Sequence, residues 1–254
     1  MRIANTKRGL EKRAFPLPVA SALLAPRLIV PATSEKVLAG LKDKLLTMAS
    51  YAEAAVNRAV KALMRRDDDL ARRIKEEDDR IDALEKEIDE DALRLLARPA
   101  SAFHLRFITT AMKISQNLER VGDEATTISR RVIELASEPQ LKQADSIPPM
   151  AALAVQMLKD ALDAFVNRDA AKARAIIPAD KRVDEWNKRL HRELAAFMAE
   201  KPATITRCLS LMVICKSLER IADHATNVAE EVVYLHEGQD IRHQALEAAT
   251  QKKR

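Results

Sequence analysis

Two stretches of the 254-residue chain place acidic side chains where a cation could be held. Residues 216–235, KSLERIADHATNVAEEVVYL, carry Glu219, Asp223 and Asn227 at four-residue intervals, and residues 116–135, QNLERVGDEATTISRRVIEL, carry Glu119 and Asp123 in the same way. Residues four apart on a helix share a face, so a like-charge pair there costs about 0.2–0.5 kcal/mol in an isolated helix. Asp78 with Asp82 and Asp180 with Asp184 supply two more such pairs. Something must offset the repulsion. Oxygen-only donors select a hard or borderline cation such as Mg²⁺, Ca²⁺, Mn²⁺ or iron.

The pairs are placed to meet. Across an antiparallel helical hairpin, residues that lie level have numbers with a constant total. Asp82 with Glu119 and Asp78 with Asp123 share one total; Asp184 with Glu219 and Asp180 with Asp223 share another. Both fit turns near Pro99 and Pro202. The spacing therefore predicts two quartets at the rim of an apolar seam, reachable from solvent. Acidic pairs four apart are also common on solvated helices, and Arg80, Arg120, Arg182 and Arg220 could balance these charges without any metal. Asn227 extends the second row by one turn and offers a carbonyl oxygen, although on spacing alone it reads as a polar surface residue; Thr127 holds its place in the first row. His224 stands where the first copy has Glu124 and is read as surface, and the remaining His residues form no ligand spacing.

The elements that carry these residues recur. Asp67, Ile74, Asp78, Arg80 and Asp82 match Asp169, Ile176, Asp180, Arg182 and Asp184 at an offset of 102, while Leu118 through Leu135 match Leu218 through Leu235 at an offset of 100. Ile74, Ile81, Ile88 and Leu95 recur every seven residues, as do Ile176, Val183, Leu190 and Phe197, and Leu118, Val121, Ala125, Ile128 and Val132 step by three and four. Such seams belong to helices packed side by side. Breaks fall near Asp67, Pro99, Asp169 and Pro202, and the Pro-containing segment 137–149 reads as a linker. The expected architecture is all-α, a tandem repeat of two three-helix bundles with six helices in total. Residues 1–36 are expected to form a flexible N-terminal extension, 37–140 and 146–245 the two bundles, and 246–254 a tail.

Composition agrees with helices: 3% aromatic and four Gly. The formal charge of +5 lies wholly in residues 1–36, with seven Lys/Arg against two acids, leaving 36 against 36 elsewhere. A nucleic-acid footprint belongs on the folded domain, so none is expected. No run of 18 apolar residues predicts membrane insertion. Cys208 and Cys215 lie seven apart on one helix, about 10.5 Å by helical rise, too far to pair, and a reducing cytoplasm suits them. Glu-x-x-His pairs, a P-loop, a dinucleotide fingerprint and a nucleophile elbow are all absent, so the chain is not expected to be an enzyme. A carboxylate-bridged metalloenzyme and a metal-free helical interaction module stand as alternatives to a non-catalytic metal-binding surface.

DDRIDALE and DKRVDEW, the duplicated NLERVGDEA and SLERIADHA, and the closing EGQDIRH give the chain, over roughly residues 37–245, a resemblance to the PhoU family, cytoplasmic regulators of bacterial phosphate uptake. The resemblance implies tandem three-helix bundles, a homodimer, and multinuclear clusters of iron, manganese, magnesium or zinc. Carried over position by position, the ligands are Asp78, Asp82, Glu119 and Asp123 in one unit and Asp180, Asp184, Glu219, Asp223 and Asn227 in the other. It also implies two partners, the phosphate-specific ABC transporter and a sensor histidine kinase. Thr127, and His104 within RPASAFHLR, depart from the family pattern.

Overall fold

The heptad positions close a continuous apolar interior: Ile74, Ile81, Ile88 and Leu95 are at most 3% exposed, and Val183, Leu190, Leu118, Val121, Ala125, Ile128 and Val132 are buried with them. Full burial of each such aliphatic side chain contributes about 1.5–3 kcal/mol. The structure, a computed structural model, describes residues 32–242. Among them there is no strand. The first unit comprises α1 (Ala32–Arg65), α2 (Asp68–Arg72), α3 (Ile74–Leu96) and α4 (Ala102–Ala136). The second comprises α5 (Pro148–Asn167), α6 (Ala170–Ile176), α7 (Asp180–Glu200) and α8 (Ile205–Glu237).

The three-helix plan holds in each unit, with the middle helix opened by a short helix of its own. In the second unit Pro178, which has no N–H to give, sits in a 3₁₀ turn, Ile177–Ala179, that separates α6 from α7. In the first, a turn at Arg73 separates α2 from α3. Helix α1 begins at Ala32, inside the stretch expected to be an extension. The remainder of that expected extension, and the tail from 246, lie outside the described residues. The segment 137–149 contains a 3₁₀ helix, Lys142–Ser146, and is held to the body: Arg207 Nη1 donates to Pro139 O at 2.9 Å. Both cysteines are buried and unpaired, and burial pushes the Cys215 thiol up to about 12.

The turn between the first and second helices repeats closely. Arg66 and Arg168 both adopt positive φ, 54° and 55°, and the next residue caps the following helix, Asp67 Oδ1 accepting from Leu70 N and Asp169 Oδ1 from Lys172 N, both at 2.8 Å. A left-handed residue other than Gly costs about 1–2 kcal/mol. At Arg66 the guanidinium offsets it: Nη2 donates to Leu135 O at 2.8 Å and Ala136 O at 3.0 Å, and also to Glu138 O. It thus satisfies the last carbonyls of α4 with a cation at the negative helix end.

Asn tolerates the left-handed conformation but cannot span to those carbonyls. Arg66→Asn is therefore expected to lower the unfolding free energy by about 1.5–3 kcal/mol, the worth of hydrogen bonds from a charged donor. Urea denaturation followed by circular dichroism measures it, and an unchanged midpoint would remove the capping role.

Candidate metal and inter-unit site

Hairpin packing brings the predicted acids together as the register requires. Ser129 Oγ donates to Ala71 O, fixing α4 against the start of the middle helix. Further along, a Cβ at Gly122 would stand 2.7 Å from Asp78 Oδ1 and 3.0 Å from Ile81 Cδ1. Only Gly lets the carboxylate approach the α4 backbone so closely. Asp78, Asp82, Glu119 and Asp123 are all half-buried, as are Asp180, Asp184 and Asp223, and Glu219 is 9% exposed.

Crowding and burial show in the protonation of these groups. Burial first, then the charge of Asp123, raises Glu119 from 4.5 to about 7. Burial, then Glu219 and Asp180, raises Asp223 from 3.8 to about 6. Asp78 is raised chiefly by burial, with Asp82 and Asp123 adding to it; Asp180 likewise, with Asp184 and Glu219. In each quartet, therefore, two carboxyls are raised by burial and by the charges that face them across the hairpin.

Among the described residues no three His, Cys, Asp or Glu side chains converge on a point that could hold a metal ion. The carboxylates stand within mutual repulsion but apart. The donors nonetheless fit a hard cation in chemistry: Asp78 Oδ1, Glu119 Oε2 and Asp180 Oδ1 are buried and accept no hydrogen bond. Rotation of the side chains about an arriving ion is what coordination requires.

The predicted counter-charges take different places. Arg120 lies on its own acids: Nη1 bonds Asp123 Oδ2 at 3.1 Å, and Nε lies 3.2 Å from Glu119 Oε2 without hydrogen-bond geometry. Arg80 instead lies over the Tyr51 ring, 5.6 Å from its centroid. Arg182 is exposed. Arg220 leaves its own quartet for the other unit, its Nη1 bonding Glu124 Oε1 at 2.9 Å. Lys216 takes its place at Glu219.

That crossing belongs to an antiparallel contact between α4 and α8. Lys113 pairs with Glu231 at 3.1 Å, His224 Nδ1 meets Asn117 Oδ1 at 2.9 Å, Asn227 Nδ2 donates to the same oxygen at 3.1 Å, and Ser210 Oγ donates to Glu134 Oε2 at 3.1 Å. A polar cavity of about 710 Å³ opens along this seam, and Arg120, Asp123, Arg220, His224 and Asn227 all line it. Asn227 thus turns its amide to the neighbouring unit, 80° around the helix from Glu219 at 3.6 residues per turn. His224, expected at the surface, is half-buried, and burial followed by the charges of Arg220 and Arg120 lowers it to about 4. With residue 124 level with 220, the hundred-residue offset sets 120 level with 224. Glu124 answers Arg220, but neutral His224 does not answer Arg120, which falls back on its own acids. Sequence reasoning missed Gly122 and the buried Glu124; a lone Gly in mid-helix, about 1 kcal/mol worse than Ala there, was the available signal for the first.

A carboxyl raised on folding keeps a proton that the unfolded chain has released. Between about pH 4.5 and 7 the unfolded state binds fewer protons at Glu119, so stability falls as pH rises through that window and stays lower above it. In chelator-treated protein the melting temperature is expected to drop from pH 5 to pH 8, and Glu119→Gln to flatten the drop. Equal slopes for the two proteins would contradict the raised value.

The PhoU domain model matches residues 45–132 and 147–232, one match in each unit. A "phosphate-specific transport system accessory protein PhoU homolog" of Pseudomonas putida is 41% identical over 212 residues, covering 83% of this chain and 83% of that protein. The protein of that description from Pseudomonas aeruginosa is 40% identical over 211 residues, 82% of this chain and 87% of its own length. The crystal structure of PhoU from Pseudomonas aeruginosa is similar with a TM-score of 0.79 at 39% identity, covering 81% of this chain and 99% of that one. That of the phosphate transport system regulatory protein PhoU from Streptococcus pneumoniae gives 0.76 at 28% identity, covering 82% and 99%. With both units matched and relatives alike over four-fifths of its length, the chain belongs to the PhoU family.

Proposed function

We propose that this protein is an accessory regulator of phosphate-specific transport that acts by contact rather than catalysis, and that its two carboxylate faces hold hard cations. The observation that carries the reading is the duplicated carboxylate quartet, with two raised members in each copy and buried oxygens that accept no hydrogen bond, within a chain of this family. The relatives' descriptions as accessory and regulatory proteins of phosphate transport support the transport role. The finer reading is a cytoplasmic homodimer, a negative regulator that links the phosphate ABC transporter to its sensor histidine kinase. It rests on the family resemblance.

Asp78, Asp82, Glu119 and Asp123 would hold one ion or cluster, and Asp180, Asp184, Glu219 and Asp223 the other, with Asn227 at the margin of the second. A bound cation supplies positive charge, which draws the protons off Glu119 and Asp223 and turns repulsion across each hairpin into attraction. Binding should therefore weaken as pH falls through about 6–7, where protons compete.

Elemental analysis of protein purified without chelators is expected to find metal in the wild type and a marked loss in a Glu219→Ala/Asp223→Ala variant of matched helicity. A phosphate-starvation reporter, repressed in phosphate-rich medium by the wild type, should be derepressed by the same variant. Among the described residues no triad of ligands converges, and this favours a second reading, a metal-free helical interaction module. Metal-free wild-type protein that still represses the reporter would establish that reading and overturn the cation.

A further inference from the structure

A cavity of about 200 Å³ opens at the end of the molecule where α1 and α4 begin and α5 and α8 end, away from both carboxylate faces. Its floor is aromatic in a chain that has almost no aromatics. Phe103, Phe107 and Phe165 are three of the five Phe residues, and the rings of Phe107 and Phe165 stack with centroids 6.5 Å apart at 22°. Among the described residues its polar lining consists of Lys42, His104, Arg168 and His236, with no carboxylate among them. His104 Nδ1 and His236 Nε2 are buried without a hydrogen-bond partner. Among the described residues, neither Lys42 nor Arg168 forms a side-chain hydrogen bond or ion pair.

The repeat makes Arg168 informative. Its twin Arg66 spends its guanidinium on the carbonyls that end α4. Arg168 has the same left-handed backbone and the same following Asp cap, and it stands beside the end of α8, yet it makes no such bonds. That helix end is closed instead by Gly238 N, which donates to Tyr234 O at 2.9 Å, while Arg174 pairs with the side chain of its last residue, Glu237. The strained conformation at Arg168 is retained while its capping duty is not, and the freed cation lines the cavity.

We propose that this cavity binds a small amphipathic organic anion, with a one- or two-ring apolar body stacked on Phe107 and Phe165 and a carboxylate or phosphate held by Arg168 and Lys42. Stacking on the rings and a charge-assisted contact to a planar guanidinium are the two terms such a ligand gains. The two histidines offer ring nitrogens to its remaining oxygens. The chain's own N-terminal stretch has the wrong sign for this place, since residues 1–36 carry seven Lys/Arg against two acids.

The probe is 1-naphthyl phosphate, titrated calorimetrically into the full chain. One saturable site per chain is expected, with inorganic phosphate and 1-naphthol each binding at least about tenfold more weakly, because each supplies only one of the two contacts. Arg168→Asn, which keeps a residue at ease with positive φ, should weaken the ester about ten- to a hundredfold. Arg66→Asn should leave it within about twofold, despite its lower stability. The proposal is overturned if the ester shows no saturable binding, if helically intact Arg168→Asn binds it as the wild type does, or if inorganic phosphate matches it. Should Arg168→Asn fail to fold, Lys42→Gln serves in its place, and unchanged affinity there overturns the proposal equally.

Discussion

The contact between α4 and α8 is the constraint on which the rest depends. Each helix has to serve three neighbourhoods at once: an apolar stripe facing its own bundle, an acidic rim facing the middle helix of its hairpin, and a polar flank facing the other unit. On α8 this leaves 17 buried positions among 33, including Glu219 and Glu231. Lys113 with Glu231, Ser210 with Glu134, and Arg220 with Glu124 fix the antiparallel register across the seam. Once that register is set, each quartet's position relative to the other follows, because every acid on α4 and α8 lies on a rigid rod.

Charge is where the two copies diverge. A buried Glu124 needs a partner, since removing a carboxylate from water without one costs several kcal/mol. Arg220 provides it and so leaves its own acids to lysines: Lys216 pairs with Glu219, and Lys188 lies 3.6 Å from Asp184. On the other side His224 is neutral and hydrogen-bonded to Asn117, so Arg120 has nothing across the seam and stays on Asp123. A single difference, Glu against His at equivalent positions, thus keeps an arginine on the rim of the first quartet and leaves lysines on the second. Two sites that look alike in sequence differ in the cationic side chains an arriving ion would meet, arginine at the first and lysines at the second.

Much of this was legible in the sequence. The heptads of Ile74 and Val183 named the core, the level pairing of Asp78 with Asp123 named the faces, and Pro99 and Pro202 named the hairpin turns, because all three follow from local geometry. What stayed hidden depended on the third neighbour. Periodicity shows which residues face inward, but not that Glu124 meets Arg220 about a hundred residues away, nor that His224 is drawn into the seam. Gly122 was visible as a mid-helix Gly, yet its reason, the approach of Asp78 Oδ1, exists only once α3 lies against α4. The place of Arg80 over the Tyr51 ring likewise depends on α1, a third neighbour that periodicity does not reveal.

Duplication also supplies an internal control for reading function from structure. Where both copies keep a feature and its contact, as with Asp67 and Asp169 capping their helices, folding alone accounts for it. Where both keep the conformation but one has lost the contact, folding accounts for only one of them. Arg66 and Arg168 are in this second class. Placing Arg rather than Gly at a left-handed position is unfavourable in both, and among the described residues only Arg66 recovers the loss through hydrogen bonds of its side chain. The same test applied to Glu124 and His224 separates an inter-unit bridge that holds the bundle from a position released to change. Comparing each residue with its twin therefore distinguishes the parts of this molecule that its fold requires from those left to be explained by what it binds.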